Sequence, residues 1–121
     1  MKSLRRAFTL VEIMIVVLII GILVAIAVPN FIRARESARG RACVANLRQI
    51  DSAKEQYAMD QKLAQGSTMP ALSTLCGTGT TTYIKGGAPL CPSSGTYVVG
   101  NLGVDPTCSI GTTAAVAHLL P

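Results

Sequence analysis

The stretch Ala7-Phe8-Thr9-Leu10-Val11-Glu12, with the run Ile13-Met14-Ile15-Val16-Val17-Leu18-Ile19-Ile20-Gly21-Ile22-Leu23-Val24-Ala25-Ile26-Ala27-Val28-Pro29 behind it, decides how the chain is read. A basic start, with Lys2, Arg5 and Arg6, meets an apolar segment that carries one carboxylate near its beginning. A charge held in the apolar part of a membrane costs about 2.5–3.5 kcal/mol on insertion scales, so Glu12 calls for a partner. Ile13–Val28 spans about 24 Å as a helix at 1.5 Å per residue. A full hydrocarbon core is about 30 Å thick, so the span is marginal unless Phe8–Val11 extends it and Glu12 is tolerated or paired. A secretory signal peptide has the same outline, but no small-x-small site closes the run, and Glu12 would fall inside its apolar region.

Working outward, the chain has 121 residues, enough for one small domain beside a long helix and too few for two cores. Half the residues are hydrophobic, yet aromatics make up only 4% and Trp is absent, so the apolar content sits in the N-terminal run and not in a large interior. Formal net charge is +5. Lys2, Arg5 and Arg6 precede the apolar run, and Arg33, Arg35, Arg39 and Arg41 follow it, so charge alone leaves the orientation of a membrane span open.

Helical character continues past Pro29. Cys43, Leu47, Ile50 and Tyr57 recur at the spacing of one helical stripe. Ala34, Ala38, Ala42, Ala45, Ala53 and Ala58 add propensity, and Asp51 and Glu55 can pair with Lys54 and Lys62 on the solvent face. Pro29 removes a backbone hydrogen bond and predicts a kink. If continuous from Phe8 to about Leu63, this helix is about 85 Å long, far more than the chain can cover with its own core. Gln65–Ser73 reads as a loop marked by Gly66, Ser67 and Pro70. Beyond it, Thr80–Ile84 and Thr96–Val99 are β-rich runs bounded by glycines, and Gly100–Pro106 reads as a hairpin connection to Thr107–Ile110. The expected fold is α+β: a long N-terminal helix, membrane half plus amphipathic half, packed on a small antiparallel β-rich C-terminal domain. The expected boundaries are a leader at 1–7, an apolar helix at 8–29, an amphipathic helix at 30–64 and a β/loop domain at 65–121.

Chemistry is sparse. His118 is the only histidine and Asp105 the only acid after Asp60, which leaves no pair of groups for acid/base work. No G-x-S-x-G frame is present, and the chain reads as a non-enzyme. Cys43, Cys76, Cys91 and Cys108 contain no close C-x-x-C pair, which argues against zinc and for disulfides in an extracytoplasmic domain. Four cysteines allow three connectivities. A Cys91–Cys108 bond would close the hairpin and leave Cys43 to pair with Cys76. No cofactor and no metal are expected. The Arg33–Arg41 run suits anionic lipid headgroups. It lacks the aromatics that nucleic-acid stacking requires, so nucleic acid is disfavoured.

These residues resemble a known family. Lys2, Arg5 and Arg6, then Ala7-Phe8-Thr9-Leu10-Val11-Glu12, then an apolar helix with Gly21 and Pro29, resemble the leader and first helix of type IV pilins and type II secretion pseudopilins. Cys43–Tyr57, Cys91-Pro92-Ser93-Ser94-Gly95-Thr96-Tyr97 and Pro106-Thr107-Cys108-Ser109 look like the ectodomain of major-pseudopilin-like proteins. The resemblance implies cleavage by a prepilin peptidase between Ala7 and Phe8 on the cytoplasmic side, followed by N-methylation of Phe8. Without the three leader cations, eight Lys/Arg stand against six acids, a mildly basic mature chain.

The resemblance further implies that Glu12 pairs with the Phe8 amine of a neighbouring copy in a helical filament, and that Gly21 and Pro29 bracket a segment able to unwind there. The implied partners are copies of the chain, the peptidase, an inner-membrane assembly platform with its ATPase, minor pseudopilins and membrane lipid. The implied location is the inner membrane, single-pass, with a cytoplasmic N-terminus and a periplasmic ectodomain. Secretion is the first function implied. A type IV pilin for adhesion, motility or DNA uptake is the second, and a monomeric membrane-anchored binding domain is the reading from another class. The sequence departs from the family at Ala7, where glycine is usual, and at the calcium loop of major pseudopilins, where Asp105 alone supplies little carboxylate.

Overall fold

The computed structural model describes residues 7–111 and 117–121. Lys2, Arg5 and Arg6 of the leader lie outside the described residues. The first helix, α1, runs Leu10–Asp60 and contains Pro29 within it. A short helix α2 (Leu72–Leu75) and four two-residue strands follow, β1 (Cys76–Gly77), β2 (Ile84–Lys85), β3 (Tyr97–Val98) and β4 (Thr107–Cys108). The chain divides into two compact units, Met1–Arg35 and Glu36–Pro121.

In the first unit, every described residue of the apolar run is exposed: Leu18, Leu23 and Ile26 each keep roughly three-fifths of their surface open (63%, 62% and 63%). The run carries a window of mean hydropathy 3.2, none of it buried. A helix apolar on all sides is at home in lipid or among other helices, not in water.

In the second unit, α1 presents the expected stripe. Cys43, Leu47 and Ile50 are fully buried, with Ala53 and Ala58 beside them, while Tyr57 is half-buried and meets the Tyr83 ring edge-on at 5.6 Å and 79°. Two clusters form on that stripe. Ile50, Ala53, Ala58, Met69, Leu75, Ile84, Val99 and Leu102 make the larger. Cys43, Leu47, Cys91 and Cys108 make the smaller, with Tyr97, Ile110 and Leu120 packed around it.

The hairpin expected around Gly100–Pro106 forms, with β3 and β4 antiparallel in the register Tyr97↔Cys108 and Val98↔Thr107. Its tip docks on the loop after α1: Gly66 N–H donates to Leu102 O and Leu102 N–H to Ser67 O, both at 3.0 Å.

Three features differ from expectation. Of Thr80–Ile84 only Ile84 is strand; the Thr82 hydroxyl bonds Gly79 O, a local alternative that competes with a strand ladder. The ladder that remains pairs β2 with β1 in parallel, Cys76↔Ile84 and Gly77↔Lys85, and is not antiparallel. Lys54 is not on the solvent face. It is fully buried, its ammonium donating to Val99 O at 3.5 Å and to Val104 O, with Asp51 at 3.3 Å.

Candidate functional site

Two places carry the chemistry that the sequence singled out. The first is the start of α1. Ala7 and Phe8 precede the helix in a segment without regular structure and are exposed, Phe8 at 81%, so the peptide bond between them is not locked in helical hydrogen bonds. Thr9 caps α1. Glu12 N–H donates to Thr9 Oγ1 at 3.2 Å, and Thr9 N–H donates to Glu12 Oε2 at 3.4 Å. Thr9-Leu10-Val11-Glu12 is thus a capping box, which satisfies two orphan donors reciprocally and sets a carboxylate against the positive end of the helix dipole. Its sequence signal is the S/T-x-x-E spacing of Thr9 and Glu12. One lone pair of the carboxylate is engaged here, and a carboxylate has about four acceptor sites, so capping leaves room for a cation.

Gly21 and Pro29 are exposed positions inside α1. A Cβ at Gly21 would meet no atom within 4 Å. Glycine costs about 1 kcal/mol relative to alanine inside a helix, and nothing in the chain's own packing requires it.

The second place is the smaller core cluster. Cys43 comes from α1, Cys91 from the loop before β3, Cys108 from β4 and His118 from the C-terminal segment. Their ligating atoms all lie within 4.8 Å of one another, and all four residues are buried. Cys91 Sγ is 3.8 Å from Cys108 Sγ and 3.8 Å from His118 Nδ1. Cys76 lies against the other cluster, so Cys43 meets Cys91 and Cys108 and does not meet Cys76. No disulfide bond joins the four cysteines in this structure.

The surrounding groups differ for each sulfur. Burial pushes the Cys43 thiol up to about 12, against the lowering effect of the Tyr97 hydroxyl, which donates to Cys43 Sγ at 3.5 Å. Tyr97 is held by Asn46, whose Nδ2 donates to its oxygen at 3.0 Å and to Leu90 O at 3.0 Å. Burial also works to raise the Cys91 thiol, but backbone N–H groups of Ser93 and Gly95, with His118 and Cys108, outweigh it and bring the group down to about 6. Gly95 is required for close approach: a Cβ there would stand 2.6 Å from Cys108 Sγ and 2.9 Å from Ile110 Cγ1. The sequence reading set metal aside for want of a close cysteine pair and treated His118 as isolated. The fold, not the spacing, brings these four together.

Comparison with known proteins bears on the first place. Residues 2–28 match the family model described as the prokaryotic N-terminal methylation motif. The chain is 46% identical over 53 residues to the type IV major pilin protein PilA of Myxococcus xanthus, covering 44% of this chain and 24% of that protein. It is 31% identical over 80 residues to the type II secretion system core protein G of Escherichia coli, covering 57% and 55%. With core protein G of Vibrio cholerae it shares 35% identity over 65 residues, covering 52% and 44%. The chain thus spans from about a quarter to just over half the length of these curated relatives. No solved structure matches it.

Proposed function

We propose that this chain belongs to the pilin and pseudopilin family, a reading supported by its methylation motif and its relatives, and is a non-enzymatic structural subunit of a pilus-like filament, of the major-pseudopilin kind that serves type II secretion. The observation that carries this reading is the apolar half of α1, exposed on every side, in a chain whose Glu12 is the one acid before Glu36. Copies of the same helix would cover that surface in a heterologous array that does not close on itself. Gly21, where an added Cβ would meet nothing within 4 Å, suits close approach by another helix.

In this reading a prepilin peptidase cuts between Ala7 and Phe8, and the new Phe8 amine is methylated. Glu12 keeps its cap on Thr9 while a second set of its lone pairs accepts the Phe8 amine of the next copy. The N-terminus faces the cytoplasm, the span sits in the inner membrane, and the unit Glu36–Pro121 lies outside it. Arg33, Arg35 and Arg41, all exposed, meet lipid headgroups. An assembly platform with its ATPase and minor pseudopilins are the further partners. A type IV pilin is the second reading, favoured by the likeness to the Myxococcus xanthus major pilin.

Two substitutions separate capping from assembly. Glu12→Gln keeps a side chain that serves in a capping box but removes the charge, whereas Glu12→Ala removes both. Filament recovery by shearing and electron microscopy should fail for both variants, while each still accumulates in the membrane. Wild-type filament yield from Glu12→Gln would refute the ion pair. Intact mass of the chain from its own membranes should show methylated Phe8 as the first residue. A chain retaining the leader would refute processing and bring forward the monomeric anchor.

A further inference from the structure

We propose that Cys43, Cys91, Cys108 and His118 bind one zinc ion as a closed, four-coordinate structural site in the unit Glu36–Pro121. The donor set is three sulfurs and one imidazole nitrogen, a combination used by structural zinc sites. Hard cations such as calcium and magnesium take oxygen ligands and are poorly served by it.

The distances fit. Zinc–sulfur bonds of about 2.3 Å in a tetrahedron put neighbouring sulfurs about 3.8 Å apart. Cys91 and Cys108 stand at 3.8 Å. His118 Nδ1 is at 3.8 Å from Cys91 Sγ, a few tenths of an ångström beyond a tetrahedral edge to nitrogen, and the four atoms fall within 4.8 Å of each other. Small side-chain rotations close the remainder.

The outer groups fit as well. Metal ligands are oriented by hydrogen bonds from a second layer. Here the Tyr97 hydroxyl donates to Cys43 Sγ, and Asn46 fixes Tyr97. The Tyr97 hydroxyl is a donor aimed at sulfur, as suits a coordinated thiolate. Gly95 leaves the space that Cys108 Sγ occupies.

Pairing chemistry accounts less well for the cluster. Three sulfurs cannot all be consumed in disulfides with one another, and the fourth, Cys76, sits in the other core cluster. A Cys91–Cys108 bond would leave Cys43 and His118 beside it with no common role. Zinc uses all four. On binding, the three thiols release their protons to solvent, the neutral imidazole donates through Nδ1, and no electron is transferred. The site would tie α1, the loop before β3, β4 and the C-terminal segment into one knot. A domain whose ladders are two residues long has few other staples.

The test uses the full chain purified in detergent, with zinc content measured by mass spectrometry and cobalt(II) as a spectroscopic probe. Expected are about one zinc per chain, and on cobalt exchange the strong ligand-field bands and sulfur-to-cobalt charge transfer of a tetrahedral centre. Cys76→Ser should keep both signals, and His118→Gln and Cys43→Ser should weaken or abolish them. Stripping the metal with a chelator should lower the midpoint of thermal unfolding by about 10 °C or more.

The cobalt spectrum of the unaltered chain decides the matter even where a variant does not fold. A chain without zinc that, once reduced, yields no tetrahedral cobalt spectrum would overturn the proposal. So would an intact mass short of the hydrogens of the Cys91 and Cys108 thiols in protein isolated without reductant. Either result leaves the filament reading untouched, because that reading rests on the start of α1.

Discussion

Replacing Lys54 by Met tests what holds the hairpin to α1. The side chain of Lys54 is fully enclosed, and its ammonium donates to Val99 O and Val104 O, which flank the Gly100–Gly103 turn. Methionine keeps the length and apolar stem of lysine, so the change removes the donors and leaves little cavity. A hydrogen bond from a charged group contributes about 1.5–3 kcal/mol, and orphaning its buried acceptor adds the cost of desolvating it. Against this, the variant no longer buries an ammonium, which returns part of the loss. The balance is a destabilisation of about 2 kcal/mol, since two carbonyls lose their partner and only one charge is spared. For a domain of 60–100 residues each kcal/mol moves the melting midpoint by about 4–8 °C, so a fall of about 8–16 °C is expected. The assay is a thermal melt of the full chain in detergent, followed by near-ultraviolet circular dichroism of the tyrosines. Asp51→Asn is the control: that carboxylate is partly exposed at 39%, and such pairs contribute about 1 kcal/mol at most. A Lys54→Met chain that melts at or above the wild-type midpoint would refute the claim that the carbonyls need this cation.

Two further predictions concern the same unit. Gly95→Ala would drive a methyl group against Cys108 Sγ and Ile110 and should cost about 1–3 kcal/mol as an overpacking change, read as a lower melting midpoint. Tyr83 donates to Asp60 Oδ2 at 2.9 Å, and that bond, then burial, raises its pKa above the ordinary phenol value. A raised pKa means that the folded chain holds the proton more tightly, so this contribution is complete below about pH 10 and is lost as pH rises through the raised value. The alkaline fall of the melting midpoint should therefore be shallower in Tyr83→Phe than in the wild type.

The long helix, its buried stripe and the β3–β4 hairpin were legible because each rests on local repetition. Periodicity through Cys43, Leu47 and Ile50 names a face, and glycines around Thr96–Val99 name turns. What the sequence did not disclose depends on contacts across the chain. The reading of Lys54 as a surface residue followed from its type, since lysine is almost never enclosed without partners. Its partners are carbonyls of residues 45 and 50 positions away, which no local pattern displays. Thr80–Thr82 has β-propensity, but a threonine hydroxyl that bonds the backbone nearby can dissolve the strand it favours.

The start of α1 and the sulfur cluster stand at opposite ends of this scale of legibility. Thr9, Glu12 and the apolar run lie within one short segment, so sequence pattern and geometry agree there, and the capping box adds a local role to a residue singled out for a distant one. Cys43, Cys91, Cys108 and His118 are spread over most of the unit Glu36–Pro121, and the absence of a close pair counted against a metal. Close pairs are common in zinc sites because a short loop makes two ligands adjacent at little entropic cost. A fold that already packs α1 against the β3–β4 hairpin supplies that adjacency by other means, with β4 pairing Cys108 opposite Tyr97, and Tyr97 in turn reaching Cys43. Close spacing therefore is not needed to bring three sulfurs and a lone histidine within 4.8 Å of one another.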